Sequence, residues 1–176
     1  HKETTELKKD VVLKKLKPIL EDPSIKKVGQ NIKYDFIIFK NHGIELSSVE
    51  DTMLLSYTLD AGNNRHNMDT LSELHLGHKT ISYKDLVGTG KKQLNFSEVD
   101  LKSATEYAAE DADITLRLYD VLSERVSKEK LERVYEEFEK PMIKILSKLE
   151  LSGVKVDGPY LKKLSKKFEE RLITVE

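Results

Sequence analysis

A tyrosine and an aspartate four residues apart form the strongest chemical signal in this sequence. Tyr107 and Asp111 lie in a stretch whose apolar residues recur at helical spacing, which predicts a helix from about residue 100 to about residue 126. Residues four apart share one helical face, so the phenol stands one turn before the carboxylate. A helix that packs against other elements while holding out a carboxylate would look like this, although so short a match also recurs by chance and a solvated acidic edge is the plainer interpretation.

Two further aspartates follow short extended segments. Asp35 comes after a predicted strand at residues 25–30, and Asp51 follows an extended piece at residues 44–50. Carboxylates at the carboxyl ends of adjacent strands, opposed by one from a helix, converge in α/β folds. Such a cluster would suit Mg²⁺ or Mn²⁺, and its natural substrate would be a phosphate ester. The alternative for both residues is helix capping, since each precedes an apolar helical run.

Length and composition bound the class of protein. The 176 residues make one ordinary domain, or one domain and a piece of another. The formal net charge of −1 argues against a uniformly basic nucleic-acid scaffold but allows a local basic groove. Cys is absent, which excludes disulfides, thiolate metal sites and thiol catalysis, so we predict a reducing, cytoplasmic environment. No segment is apolar enough to predict a membrane span.

The elements that must position these side chains are predicted to be mostly helical. Periodicity and helix-stop signals predict helices at about residues 7–20, 31–41, 52–59, 68–76, 100–126, 130–152 and 159–172. Two short strands, at 25–30 and 44–50, complete an α/β class. Pro141 predicts a kink or a break in its helix. Residues 80–95 predict a loop with little regular structure.

Several stretches resemble, in order and at matching spacing, the proofreading exonuclease domain of the family A DNA polymerases, the group of bacterial DNA polymerase I. The similar stretches are Val28–Asp35, Asp51–Met53, Arg65–Asp69, His78–Ile81, Tyr107–Asp113 and Gly153–Asp157. The first resembles the second exonuclease motif, and Tyr107–Asp113 resembles the third motif, the Tyr-x-x-x-Asp form of the DEDD exonucleases. The last resembles the start of the polymerase domain, which favours family A polymerases over ribonuclease D.

The resemblance implies the C-terminal part of a ribonuclease-H-like 3′-5′ exonuclease fold at residues 1–127 and the first helices of a polymerase domain at residues 128–176. In that family two divalent ions, Mg²⁺ or Mn²⁺, clamp the scissile phosphate and activate a water. By resemblance, Asp111 would bind one ion directly and Asp35 would hold the second largely through water. Tyr107 would orient the attacking water through its hydroxyl.

The same resemblance implies contacts with DNA. The positions that match residues near the single-stranded 3′ end are Gln30, Asn31, Lys33, Tyr34, Arg65 and Tyr83. At Tyr83 the family can carry an aromatic that packs on DNA, and stacking of a base on a ring contributes about 1–3 kcal/mol. The implied partners are a single-stranded 3′ end, primer–template DNA and the rest of a polymerase chain.

The sequence departs from the family in its first motif, an Asp-x-Glu on the first strand. No Asp-x-Glu occurs anywhere in the 176 residues, and the first residue is His rather than Met. We therefore expect a piece of a longer protein that lacks the first three strands and two of four metal carboxylates. Because a two-ion site needs its bridging carboxylate, we expect these residues alone to bind the ions weakly or not at all and not to hydrolyse DNA at a useful rate.

A further expectation follows from the missing strands. The strand near residues 26–29 should have an unpaired edge, which is covered by a neighbouring chain through self-association, is shielded by helices, or is irregular.

Two alternative functions remain. One is a non-catalytic domain that positions DNA or braces a polymerase. A weaker alternative is a helical interaction module in which Asp35 and Asp111 are ordinary surface acids.

Overall fold

Helices dominate the computed structural model, which describes residues 7–90 and 93–175. The elements, in chain order, are α1 (Lys9–Glu21), β1 (Lys27–Gly29), α2 (Lys33–Asn41), β2 (Val49–Asp51), α3 (Thr52–Asp60), α4 (Met68–Leu76), α5 (Tyr83–Val87), a 3-10 turn (Phe96–Glu98), α6 (Leu101–Lys128), α7 (Glu132–Val134), a π-helical turn (Tyr135–Glu139), α8 (Lys140–Ser152) and α9 (Gly158–Val175). The prediction of a mostly helical α/β fold with two short strands is confirmed. Along the described ranges, no helix is both long and apolar enough to cross a membrane.

The two strands pair in parallel and bring the starts of two helices together. Lys27 pairs with Val49 and Gly29 with Asp51, so the strands end side by side. A parallel pair needs a crossover, which α2 supplies. Gly29 is required here because a Cβ on it would lie 2.8 Å from the Ile32 side chain, closer than packed carbon atoms approach. The chain can therefore turn tightly from β1 into α2.

Helix α6 forms the centre of the main hydrophobic core. Its buried residues recur at four-residue spacing: Ile114, Leu118, Leu122 and Val126. They pack with Leu55 of α3, Leu71 of α4 and Tyr135 of the π-helical turn. Because one face of α6 is fixed against these neighbours, the N-terminal half of the helix extends beyond the main core with its direction already set.

The π-helical turn and α8, which follow residue 130, share the cores of the preceding elements. Tyr135 belongs to the main core, and Ile143 of α8 packs in a second core whose other buried members are Ile32, Phe36, Leu46 and Val49. The division of the chain at residue 127 stays a prediction. The structure adds that α8 stabilises the β1–α2 region directly.

Two local expectations meet different outcomes. The irregularity predicted at Pro141 is present as the π-helical turn just before it, at Tyr135–Glu139. Proline lacks the N–H that would bond the carbonyl four residues back, so the preceding turn widens. The loop prediction was wrong at Tyr83–Val87, where Ser82 caps a short helix by accepting a hydrogen bond from the Lys84 N–H. Residues 91–92 of that segment lie outside the described residues.

A buried polar network ties β2 to the C-terminal helices. The Tyr135 hydroxyl donates to Oε2 of Glu50 at 2.9 Å and accepts from the backbone N–H of Asp51 at 3.0 Å. The other Glu50 oxygen accepts from Lys140 Nζ at 2.8 Å. Tyr135 and Glu50 are only 3% and 8% exposed, so water cannot replace a lost partner. A group of this network left without its hydrogen bond would therefore lower the free energy of unfolding.

We predict that Tyr135→Phe lowers the free energy of unfolding by about 1–3 kcal/mol, because it leaves the Asp51 N–H and one Glu50 oxygen without their partner. Urea denaturation of the 176-residue chain measures this effect. The matched control is Tyr160→Phe, since Tyr160 is 60% exposed. Equal stability of the two variants would contradict the network's role.

Candidate active site

A cleft of about 540 Å³ lies beside β1 and brings two distant acids together. Asp35 of α2 and Asp111 of α6 both line it, with Gln30 and Gly29 from the end of β1. Seventy-six residues separate the two aspartates in the sequence (111 − 35). Their meeting in one cleft argues against the interpretation of both residues as unrelated surface acids.

Asp111 carries an unsatisfied oxygen in this cleft. Its Oδ1 is buried and has no hydrogen-bond partner in the described part of the chain. Burial raises the pKa of the Asp111 carboxyl, the adjacent Tyr107 hydroxyl partly offsets this, and the charges of Glu110 and Asp69 reinforce it. Since buried polar atoms are nearly always bonded, an orphan oxygen on a carboxylate that lines a cleft suits a cation ligand.

Tyr107 stands one turn before Asp111 on the same helix. Burial, together with the nearby Asp111 carboxylate, raises the pKa of Tyr107 to about 12. The phenol therefore keeps its proton at physiological pH. It can hold a water or phosphate oxygen as a donor but cannot serve as a base.

Asp35 occupies the first turn of α2. The residue at the start of this helix makes no side-chain cap, so the capping alternative for Asp35 is not what the structure shows. Partial burial raises the pKa of the Asp35 carboxyl, with the residue's own backbone N–H partly offsetting the effect, although the residue as a whole is exposed. Asp35 and the half-buried Asp111 both have raised carboxyl pKa values, so a bound cation would stabilise the ionised form of each.

Asp51 does not join them, and the expectation that three carboxylates converge was wrong for this residue. Its side chain is 1% exposed and accepts hydrogen bonds from the N–H groups of Asn31, Ile32 and Met53 at 2.9, 3.0 and 2.9 Å. The capping alternative for Asp51 is confirmed. Its carboxylate also fixes the turn at Asn31, which has a left-handed φ of 57°.

Three of the residues predicted to contact DNA gather in a second groove. Gln30, Asn31 and Arg65 line an open groove of about 750 Å³ near the end of β1. The Gln30 amide donates to the carbonyl of His66 at 2.7 Å, which holds the two segments together. Gln30 lines both this groove and the cleft of Asp35 and Asp111, so the two depressions adjoin.

The other three predicted DNA contacts lie apart from that groove. Lys33 forms an ion pair with Glu150 of α8, and its Nζ lies 5.1 Å from the centre of the exposed Tyr34 ring. A phosphate at Lys33 would share its ammonium with Glu150 or displace that carboxylate. Tyr83 lies beside Tyr107, with ring centres 6.1 Å apart.

Sequence reasoning missed the residue that anchors the segment before Tyr83. Glu110 accepts from the Ile81 N–H at 2.6 Å, and its other oxygen lies 2.7 Å from Nε2 of His78. Burial alone would raise the pKa of Glu110, but these partners hold it below its usual range. No sequence signal marks this contact beyond the position of Glu110 next to Asp111.

The donor set of the cleft is incomplete as a divalent-metal site. In residues 7–90 and 93–175, no three His, Asp or Glu side chains gather at one point. Asp35 and Asp111 supply two hard oxygen donors, and the orphan Oδ1 of Asp111 supports their fit to Mg²⁺ or Mn²⁺. Full coordination requires further oxygens, from water, phosphate or other carboxylates.

Comparisons with known proteins bear on the family of this chain. The 3′-5′ exonuclease family matches residues 1–127. DNA polymerase I of Rhizobium leguminosarum is 51% identical over 153 residues, which are 87% of this chain and 15% of that protein. DNA polymerase I of Pseudomonas aeruginosa is 42% identical over 175 residues, covering 97% of this chain and 19% of that protein. The chain thus spans less than a fifth of the length of these relatives.

A solved structure shows the same fold. Brucella melitensis NrnC superimposes with a TM-score of 0.64 and 24% identity, over 77% of this chain and 63% of that chain. At this identity the likeness concerns the arrangement of helices and strands alone.

We predict that Asp111→Asn stabilises the metal-free chain at pH 7, with a rise in Tm of about 1–3 °C. The raised folded-state pKa means that ionised Asp111 destabilises the fold. This penalty is absent below the unfolded-state pKa of about 3.9 and complete above the folded-state pKa. The difference in Tm between Asp111→Asn and the wild-type chain should therefore shrink as the pH falls towards 4.

Thermal unfolding at several pH values, with chelator present, measures this gap. Asp120→Asn is the matched control, because Asp120 is an exposed aspartate on the same helix. A destabilised Asp111→Asn variant, or an identical effect of both substitutions, would show that the ionised Asp111 carboxylate does not destabilise the fold.

Proposed function

This chain belongs to the 3′-5′ exonuclease family, and we propose that it forms part of the proofreading site of a family A DNA polymerase. The observation that supports this most is the shared cleft, where Asp35 and the orphan oxygen of Asp111 meet beside the protonated Tyr107. The proposed reaction is hydrolysis of the phosphodiester at the 3′ end of a DNA strand.

Asp111 and Asp35 of the cleft, with the neighbouring Tyr107, would each have a task that its chemistry suits. Bound Mg²⁺ or Mn²⁺ would neutralise charge on the scissile phosphate and lower the pKa of a bound water. Asp111 would hold one ion through Oδ1, and Asp35 would hold a second largely through water. Tyr107 would donate its hydroxyl proton in a hydrogen bond that orients the attacking water.

The strand end would reach the cleft along the adjoining groove. Gln30, Asn31 and Arg65 offer amide and guanidinium donors to the last nucleotides. Arg65 is exposed and supplies the positive charge that a chain of net charge −1 needs locally for phosphate. Lys33, Tyr34 and Tyr83 would extend the contacts.

We further propose that the 176 residues alone do not cut DNA, because they contain no Asp-x-Glu to complete the carboxylate set. The alternative of a non-catalytic domain that positions DNA predicts the same fold. It gives no particular reason, however, for an unbonded carboxylate oxygen at Asp111, which costs free energy unless a cation or a hydrogen-bond donor satisfies it.

The edge of β1 at the cleft also suggests a binding partner for this chain. Within the described ranges β1 pairs only with β2, and Lys27, Val28 and Gly29 of β1 also line the cleft. We propose that another strand covers this edge, from a longer polypeptide or from a second copy of the chain. In this proposal residues 128–176 begin a polymerase domain, and the protein acts in the cytoplasm.

Mn²⁺ should stabilise the chain through Asp35 and Asp111. At a concentration 100 times its Kd, a ligand of the folded state adds about 2.7 kcal/mol of stability. Thermal unfolding with and without Mn²⁺ should show an upward shift that Asp35→Asn and Asp111→Asn each reduce strongly. Asp120→Asn should keep the full shift, and equal shifts in all four proteins would reject the proposed ion site.

The nuclease prediction needs a test that separates the chain from contaminants. Incubation of the 176-residue chain with end-labelled single-stranded DNA and Mn²⁺ should give no 3′ trimming above background. Trimming that Asp111→Asn abolishes would show that the chain is active without Asp-x-Glu. Trimming that persists in Asp111→Asn would identify a contaminating nuclease.

A further inference from the structure

The half of α6 that carries Tyr107 and Asp111 precedes the part of the helix that enters the main core. Within the described structure, the first buried residue of α6 is Ile114, three positions after Asp111. The ring of Tyr107 lies beside the exposed rings of Tyr83 and of Phe96 in the 3-10 turn, with ring centres 6.1 and 6.2 Å away. A segment with few buried contacts is locally less stable, so the turns before Ile114 depend on a further support.

Glu110 supplies this support through hydrogen bonds to residues 78–81, which we call the strap. Oε2 of Glu110 accepts from the Ile81 N–H at 2.6 Å, and Oε1 lies 2.7 Å from Nε2 of His78. The Glu110 side chain is 18% exposed and does not line the cleft beside β1. The strap engages both oxygens, so Glu110 anchors the helix and leaves the cleft to Asp111.

The bonds of Glu110 have no equivalent on the neighbouring turns. Between residues 101 and 113, the other described side-chain hydrogen bonds stay within α6, as from Thr105 to the Leu101 carbonyl and from Arg117 to Asp113. Loss of the Glu110 side chain would therefore release the turn that carries Asp111 from the strap.

The strap is itself fixed to α4, a helix of the main core. Ser72 Oγ donates to the carbonyl of His78, and Thr80 Oγ1 donates to Oδ1 of Asp69, both at 2.8 Å. Ser72 and Thr80 are buried, so water does not readily replace these bonds. The strap thus joins the first half of α6 to an element whose position the core sets.

We propose that Glu110 is a positioning residue, which holds α6 in the rotation that directs Asp111 into the cleft. This inference rests on the function proposed above and adds a residue that the proposed chemistry does not use. Successive residues of an α-helix point about 100° apart, so a bond at Glu110 fixes the direction of its neighbour Asp111. A metal ligand has to be held within about 0.5 Å of its productive position, and the strap provides this where the core does not.

Two competing roles for Glu110 predict different results. In the first, Glu110 acts by charge alone, since its carboxylate raises the pKa of the Asp111 carboxyl and would attract a cation. In the second, Glu110 stabilises the whole fold and has no particular effect on the cleft. Only the positioning role requires the bonds to the strap for binding of the ion.

The experiment measures the Kd of Mn²⁺ for the 176-residue chain at one fixed pH, with free Mn²⁺ determined by electron paramagnetic resonance. Glu110→Ala removes both bonds to the strap and should weaken Mn²⁺ binding about tenfold, as loss of a residue that orients metal ligands does. Glu110→Gln keeps an oxygen for the Ile81 N–H and an amide beside His78, so it should restore most of the affinity. Asp113→Asn is the matched control for charge, because Asp113 is exposed and its described ion pair, with Arg117, stays within α6.

Hydrogen exchange without metal tests the support of the helix independently of the ion. Glu110→Ala should speed exchange of the backbone amides of residues 105–112 and leave those of residues 118–126 as in the wild type, because the core holds only the latter. Equal acceleration along the whole of α6 would show that Glu110 only stabilises the fold.

Three results would overturn the positioning role: equal Mn²⁺ affinity of Glu110→Ala and the wild type, equal losses in Glu110→Ala and Glu110→Gln, and uniform acceleration of exchange. If Glu110→Ala does not fold, Thr80→Val frees the strap from Asp69 without a change of charge, and unchanged Mn²⁺ affinity of that variant overturns the role.

The outcomes separate this inference from the proposed function. If the wild type binds no Mn²⁺, the ion site and the positioning role both fail. If the wild type binds Mn²⁺ through Asp111 and Glu110→Ala binds it as tightly, the positioning role alone fails.

Discussion

The buried carboxylate of Asp51 holds together the part of the molecule on which the cleft depends. It accepts from the N–H groups of Asn31, Ile32 and Met53, and so joins the turn after β1 to the start of α3. Burial raises the pKa of Asp51, and the surrounding N–H donors offset part of that cost. Asp35 lies one turn after this clamp, so its place in the cleft follows from a residue that does not touch the cleft.

The clamp is in turn supported by helices that follow the exonuclease motifs. Tyr135 binds the Asp51 N–H and Glu50, while Ile143 packs against the β1–α2 region. In the described part of the chain, buried contacts therefore connect the π-helical turn and α8 to the candidate site. These two elements stabilise the site, whether or not they belong to a separate domain.

The ionised aspartates of the cleft lower the stability of the fold. Asp111 and Asp35 have raised pKa values, and Oδ1 of Asp111 lacks a partner among the described residues. A protein that needed only stability would fill or neutralise such a site. The arrangement is reasonable where a cation relieves the strain and the protonated Tyr107 stands beside it.

The sequence by itself determined the features that depend on residues close to one another in the chain. Helix α4 falls at Met68–Leu76 as predicted, and the left-handed Gly77 ends it locally, whereas Asn67 at its start makes no side-chain cap. Periodicity placed α6 with Tyr107 and Asp111 on one face. Only the tertiary structure decided the role of Asp51, the contact of Glu110 with Ile81, and the place of Phe96 beside Tyr107. Such contacts join residues 11–29 positions apart, and packing of separate elements sets them, whereas a helix end depends on its immediate neighbours.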